Sequence, residues 1–226
     1  MLRWGTLRWQ ARLIQRPRPS NRCILRSRLS MKRGHYTSTV PQRVLLYRPE
    51  RKRDWDTMWR RWKASQRMDR SVWKRFRKVL DIPGFKLDVW NGGRFAEAVV
   101  ALDLERKGYK CFRACSLFRT GRGKFPETTA LAEARLKKSG HRLPHKATKR
   151  ILPKPRNPDL AAYRGRKWRF CEVKWKRSER VSKGQLAALC VLRSELKADV
   201  EVVRVIPTTD RGRRYRKSYE CEFTVR

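Results

Sequence analysis

Residues 157–174 read NPDLAAYRGRKWRFCEVK, and the predicted fold is built outward from this stretch. We interpret KWRFCEVK as a β-strand and place a second strand from Asp159 onward. Side chains alternate between the two faces of a strand, so Glu172 and Lys174 are expected on one side. Asp159 reaches the same place if the two strands pair as a hairpin. Carboxylates on a strand of so basic a chain raise the question of a bound metal.

The oxygen atoms of this stretch suit a hard divalent cation. Asp159, Glu172 and the backbone carbonyl of Val173 form a pocket of the kind that Mg²⁺ prefers, with Mn²⁺ as a substitute. Glu97, on a preceding predicted helix, could add a third carboxylate. The ion would polarise a phosphodiester, and the ammonium group of Lys174 would position a water molecule or stabilise developing charge.

Each of these residues also has a structural interpretation. Asp159 could cap a turn after Pro158, and Glu172 could pair with a neighbouring basic residue, either Lys176 or Arg169. Glu97 could be an ordinary surface residue of a helix. Gln185, a further candidate near the start of the helix predicted after KWRFCEVK, could be a solvated helix residue.

The bulk composition indicates the class of partner. The 226 residues include 60 Lys and Arg against 20 Asp and Glu, for a formal charge of +40. Nucleic acid is the expected partner, because neutralised phosphates release condensed counterions. An anionic membrane is the competing polyanion, but no stretch approaches 18 apolar residues, so none is expected to span a bilayer.

The flanking segments are predicted from charge and periodicity. Residues 1–49 contain no acidic residue, and we interpret them as a basic disordered arm, as a presequence-like targeting segment, or as sequence upstream of a start at Met31. Residues 50–90 form a basic aromatic helical extension, with one kinked helix or two between Asp54, the expected N-cap, and Leu80. Residues 211–226 are predicted to be a basic tail.

A core of about residues 91–210 lies between these flanks. The predicted elements, in chain order, are a helix at 94–107, a strand at 109–114, an insertion at 116–156 with one short helix, strands from 159 and over 167–174, a helix at 182–196 and a strand at 200–206. This order predicts an α/β protein, with a mixed sheet flanked by helices.

The six cysteines are scattered, and reduced intracellular thiols are expected. Cys111 and Cys115 lie four residues apart, as do His141 and His145. A zinc site could use both pairs, but neither spacing is typical, and Cys111 falls in a predicted strand where a buried thiol is ordinary.

The motif PD, then twelve residues, then EVK, followed by SKGQ, resembles the PD-(D/E)xK nuclease superfamily, and within it the VRR-NUC group that includes the nuclease module of Fanconi-associated nuclease. The resemblance covers about residues 91–207. It implies a restriction-endonuclease-like core of helix, three strands, helix and strand. It assigns Glu97, Asp159 and Glu172 to the metal, Lys174 to the active-site lysine, and Gln185 to the glutamine that supports the site. The long insertion and the sequence VKWKRSERVS depart from the group's pattern.

The resemblance implies a magnesium-dependent DNA endonuclease acting on branched or flapped duplexes, with a possible homodimer, no membrane partner and no small-molecule substrate. The alternative from a different class is a non-catalytic nucleic-acid-binding protein, such as an organelle ribosome or nucleoid component. A sequence-specific restriction enzyme is a third hypothesis. The expected location is the bacterial or viral cytoplasm or nucleoid, or else the mitochondrial matrix.

Overall fold

The computed structural model describes residues 34–65, 79, 81–85, 94–113, 117–118, 126–141, 151–152, 156–175, 178–211 and 214–225. The helices are α1 (Pro49–Ser65), α2 (Arg94–Arg106), α3 (Pro126–Lys138) and α4 (Lys183–Leu196). The strands are β1 (Gly34–Tyr47), β2 (Lys110–Arg113), β3 (Ile151–Leu152), β4 (Leu160–Arg164), β5 (Lys167–Lys174), β6 (Asp199–Pro207) and β7 (Ser218–Val225). The α/β class predicted from the sequence is confirmed. The predicted α1 start at Asp54 is wrong, because the helix already begins at Pro49, where the fixed φ of proline suits a first turn.

All seven strands belong to one mixed sheet in the order β2-β4-β5-β6-β1-β7-β3. β5 and β1 both run parallel to β6, while the β4–β5 pair is an antiparallel hairpin. The elements predicted at 94–107, 109–114, 167–174, 182–196 and 200–206 are confirmed to within a few residues.

Two segments that were predicted from charge are strands of the sheet instead. Residues 34–47 of the predicted arm form β1, which lies between β6 and β7. Part of the predicted tail forms β7, whose Cys221, Phe223 and Val225 point inward while Glu220 and Glu222 are exposed. This alternation with period two is a strand signal that the basic composition of the two termini obscured. The remainder of the arm, residues 1–33, and most of the predicted helical extension beyond Ser65 lie outside the described residues.

The sheet separates two hydrophobic cores. On one side α4 packs with Phe170, Val202 and Phe223. On the other, α2 packs with Val203 and Val205, and Trp55 of α1 lies edge-on to Phe95. Burial of these side chains is the main favourable term for docking α1, α2 and α4 on the sheet. In the part of the chain that the structure describes, no helix is long and apolar enough to cross a membrane.

Candidate functional site

The β4–β5 hairpin brings Asp159 and Glu172 together. Leu160 pairs with Cys171 in the antiparallel register, so Asp159, one residue before β4, falls opposite Glu172. Asp159 Oδ2 accepts a hydrogen bond of 2.8 Å from the backbone N–H of Val173. The two carboxyl groups also lie close enough for each to shift the pKa of the other.

Glu172 and Lys174 lie on the same face of β5, as strand alternation predicts. Lys174 Nζ is 2.8 Å from Glu172 Oε1, and the side chains are only 5% and 2% exposed. A buried charge needs a partner of opposite sign and hydrogen bonds to offset its desolvation. The ion pair supplies both at the end of the strand.

Gln185 is fixed in place by the start of α4. Ser182 is the N-cap residue, and its Oγ accepts the Gln185 N–H at 3.2 Å. The Gln185 Oε1 atom accepts the Ser182 N–H at 2.9 Å, which closes a capping box. Because this bond occupies the amide oxygen, the Nε2 group points away from the cap, and it donates to Glu172 Oε1. The sequence analysis missed the role of Ser182, although the pattern Ser-x-x-Gln is the signature of a capping box.

Glu97 reaches the site from the first turn of α2, but basic side chains already contact it. Arg113 Nε donates to Glu97 Oε2, and an Arg94 nitrogen lies 3.4 Å from Glu97 Oε1. The Arg113 side chain is 3% exposed. Glu97 is therefore paired with arginines that the sequence did not reveal, while the charges of Asp159 and Glu172 raise its pKa.

Glu179 belongs to the same group and was missed. Its Oε1 atom lies 3.5 Å from Lys174 Nζ, and its Oε2 atom accepts the Trp175 N–H at 2.8 Å. Strand phase could not find it, because it lies in the connection between β5 and α4. One available signal was that it is the single acidic residue in the basic segment WKRSERVS. We call Glu97, Asp159, Glu172 and Glu179 the carboxylate cluster.

The pKa values of this cluster show how closely its members lie. Burial, and then the charge of Asp159, raise the pKa of Glu172 to about 8, against the opposing effect of Lys174. Burial raises the pKa of Asp159, although the Val173 N–H and Lys174 oppose the shift. Burial also raises the pKa of Glu97, and the charges of Asp159, Glu172 and Glu179 add to the effect. The raised pKa values of Glu97, Asp159 and Glu172 disfavour the ionised forms, which an added cation would favour.

The donor set suits a divalent cation. Val173 points its N–H toward Asp159, and in an antiparallel ladder the carbonyl of a residue points to the same side as its N–H. The last pair of the β4–β5 register is Leu160 with Cys171, and the same spacing would bring Pro158, which has no N–H to donate, opposite Val173. Buried carboxylates with raised pKa values, next to a carbonyl oxygen, are the hard oxygen ligands of Mg²⁺.

The side chains are not arranged as a completed metal centre. Among the described residues, no three His, Cys, Asp or Glu side chains are grouped so that they could hold a metal ion. Glu172 faces Lys174 and Gln185, while Glu97 faces Arg113. Binding a cation would therefore require one or both of these carboxylates to turn.

The zinc hypothesis receives no support from the residues that are described. Cys111 is buried in β2, and its Sγ atom lies 3.7 Å from the Ala101 carbonyl oxygen. Burial raises the pKa of Cys111 to about 12, which disfavours the thiolate that zinc binds. His141 follows α3, whereas Cys115 and His145 lie outside the described residues.

Comparisons of the chain with protein-family models, with curated proteins and with solved structures found no match. The resemblance to the VRR-NUC group therefore stays a prediction from the sequence motif.

Proposed function

We propose that this protein is a metal-dependent DNA endonuclease with a restriction-endonuclease-like core. The observation that carries the proposal is the convergence of Asp159, Glu172 and Lys174 at the open end of the β4–β5 hairpin. The elements from α2 to β6 follow the order of helix, strand, strand, strand, helix and strand when the insertion is set aside. That order agrees with the core that the motif implies.

Within this proposal, Asp159, Glu172 and the Val173 carbonyl hold a magnesium ion, and Glu97 is a further candidate ligand. When bound, the ion polarises the phosphodiester and lowers the pKa of a water molecule. Gln185 orients Glu172 from the α4 capping box. The ammonium group of Lys174 stabilises negative charge that develops on the phosphate.

DNA is the proposed substrate because of the charge of the chain. A formal charge of +40 favours a polyanion, and phosphate contacts position such a substrate without reading its sequence. The preference for branched or flapped duplexes comes from the VRR-NUC resemblance alone.

The test is a cleavage assay on branched, flapped, linear and single-stranded DNA. We expect the protein to cut at least one of them in Mg²⁺ or Mn²⁺ and to stop in EDTA. Asp159→Asn, which removes one ligand charge with little change in size, should abolish cutting and keep DNA binding in Ca²⁺. Tight binding without cleavage of any substrate would contradict the proposal.

The second candidate is a non-catalytic nucleic-acid-binding protein with the same fold. The contacts of Glu97 with Arg113 and of Glu172 with Lys174 favour it, because both carboxylates already have cationic partners. This candidate would be established if the wild-type protein binds DNA without cleaving it and if Asp159→Asn leaves DNA binding unchanged.

A further inference from the structure

The connection between β5 and α4 folds back onto Lys174. Glu179 Oε1 lies 3.5 Å from Lys174 Nζ, while Glu179 Oε2 accepts the Trp175 N–H at 2.8 Å. The Glu179 side chain is 41% exposed, in contrast to the buried Glu172. One carboxylate thus contacts the lysine ammonium and the backbone of the very next residue.

Side chains of three strands, β1, β6 and β7, hold this connection in place through hydrogen bonds. An Arg204 nitrogen donates to the Glu179 carbonyl oxygen at 3.1 Å and to the Tyr219 hydroxyl at 3.0 Å. The Tyr219 hydroxyl donates to Gln42 Oε1 at 2.7 Å. Arg204 lies opposite Lys174 in the β5–β6 register and is 5% exposed. The position of Glu179 is therefore fixed by β1, β6 and β7 as well as by its own side chain.

Lys174 needs an acceptor that does not depend on Glu172. A lysine ammonium group has three donors on a flexible four-carbon stem. In the present arrangement its shorter contact is with Glu172 Oε1. If a cation draws the Glu172 carboxylate away from Lys174, the ammonium group loses that contact. Glu179 Oε1 would then be the acceptor that keeps the ammonium group in place.

We propose that Glu179 is a positioning residue that holds the Lys174 ammonium group at the site when Glu172 turns toward a cation. The inference rests on the proposed nuclease function. It requires two acceptor oxygens on residue 179, one for Trp175 and one for Lys174.

Two substitutions separate positioning from support of the fold. Glu179→Ala removes both contacts. Glu179→Gln keeps one acceptor oxygen for the Trp175 N–H but presents an amide nitrogen to Lys174. Glu222→Gln, at an exposed position of β7, is the matched control for loss of one negative charge.

Cleavage kinetics in Mg²⁺ and DNA affinity in Ca²⁺ are measured on the full chain. We expect kcat to fall about 10- to 100-fold in both Glu179 variants, the usual cost of losing an outer-shell partner. KM and DNA affinity should match those of the Glu222→Gln control. If Glu179 serves only the fold, Glu179→Gln should cut at the wild-type rate.

A second readout does not depend on activity. The ε-amino group of Lys174 is acylated with an activated ester in the presence of Mg²⁺, and the yield is measured by peptide mass spectrometry, with the exposed Lys167 as the internal reference. Labelling of Lys174 should rise several-fold in both Glu179 variants and stay low in wild type and Glu222→Gln.

The outcomes separate the two proposals. If wild type cuts DNA and both Glu179 variants match it in kcat, the inference is overturned and the nuclease function stands. If wild type never cuts, the nuclease proposal and the catalytic part of the inference fall together. The acylation of Lys174 then still tests whether Glu179 holds the ammonium group. Unchanged labelling in both variants would show that Glu179 does not hold Lys174.

Discussion

Two charged clusters lie on β5, β6 and the elements around them, and they differ in how their charges are balanced. The first is the carboxylate cluster, which lies at the C-terminal end of β5. The second, which we call the balanced cluster, lies toward the beginnings of β5 and β6 and consists of Arg43, Asp103, Arg169, Asp199 and Glu201. Arg43 is 2.7 Å from Asp103 Oδ2 and 3.0 Å from Glu201 Oε2. Each acidic residue of the balanced cluster thus has an arginine partner, with Arg169 lying 3.0 Å from Asp199.

The pKa values of Asp103 in the balanced cluster and of Glu172 in the carboxylate cluster are shifted in opposite directions. Burial tends to raise the pKa of Asp103, but the contacts with Lys107 and Arg43 outweigh it, and the pKa is lowered. In the carboxylate cluster, burial and the neighbouring carboxylate outweigh Lys174, and the pKa of Glu172 rises to about 8. The ion pairs of Asp103 favour its charged form without an added cation, whereas carboxyl groups whose pKa is raised by burial and by one another would be stabilised in the charged form by an added cation. We therefore propose that the balanced cluster stabilises the fold and that the carboxylate cluster is the one that would bind a metal ion.

The largest expected difference is in cleavage. Glu172→Gln removes a metal-binding charge at nearly constant size, so we expect cleavage to fall by about 10³-fold or more. Glu201→Gln makes the same chemical change in the balanced cluster and should leave the activity per folded molecule near the wild-type value. Comparable losses of activity in both variants would erase the distinction between the clusters.

Lys174→Met tests the role of the lysine ammonium group at the site. We expect cleavage to fall by about 10²-fold, because the ammonium group stabilises developing charge. Metal binding should persist, since both carboxylate ligands remain. Lys167→Met, at an exposed position of the same strand, is the matched control. Full activity of Lys174→Met, measured with the same DNA substrate, would remove the lysine from the mechanism.

Arg43→Met tests the balanced cluster. The change leaves Glu201 without its closest arginine, and side chains of Arg43 and Glu201 are 26% and 12% exposed. We expect the free energy of unfolding to fall by about 2 kcal/mol, below the range for fully buried pairs because Arg43 is partly solvated. Urea denaturation measures the loss, and the activity of the folded fraction should not change. An unaltered unfolding midpoint would show that the network contributes no stability.

The smallest expected effect is a pH dependence of opposite sign in the two clusters. A carboxyl whose folded-state pKa is raised binds more protons when folded, so its contribution to stability is lost as the pH rises through that value. Without divalent cations, wild type should lose stability relative to Glu172→Gln as the pH rises from about 4.5, the ordinary pKa of a glutamate, to about 8. Asp103 has a lowered pKa, so its contribution should be lost on acidification, and Asp103→Asn should remove that loss. Urea denaturation at several pH values provides both comparisons, and parallel curves for wild type and Glu172→Gln would contradict the first.

The sequence predicted the elements whose side chains carry a clear local pattern. β5 was found with the bounds that the structure shows, and its phase placed Glu172 and Lys174 on one face. β1 was missed because its partners are distant in the chain, with Gln42 opposite Val202, and because the Arg-rich composition of residues 1–49 favoured a nucleic-acid-binding arm. Pairings of that kind depend on the whole sheet and leave little local signal.

Within the site, the sequence identified side chains but not all of their partners. The motif singled out Asp159, Glu172 and Gln185, and the structure brings them together. It gave no sign that Arg113 would contact Glu97, because that contact depends on how α2 packs on β2. Glu179 was missed for a similar reason, since the path of an irregular connection is set by tertiary contacts such as that from Arg204.

Calorimetric titration with Mn²⁺ near pH 7.5, in buffers of different ionisation enthalpy, tests the central claim most directly. Metal ligands must be deprotonated, so a cation that enters a cluster with raised pKa values displaces protons into the buffer. We predict that wild type and Glu201→Gln bind Mn²⁺ with release of protons. Glu172→Gln should bind more than about 10-fold more weakly and release fewer protons, as expected on loss of a ligand. Binding by Glu172→Gln that equals wild type, or an absence of binding by wild type, would contradict the assignment of metal chemistry to the carboxylate cluster.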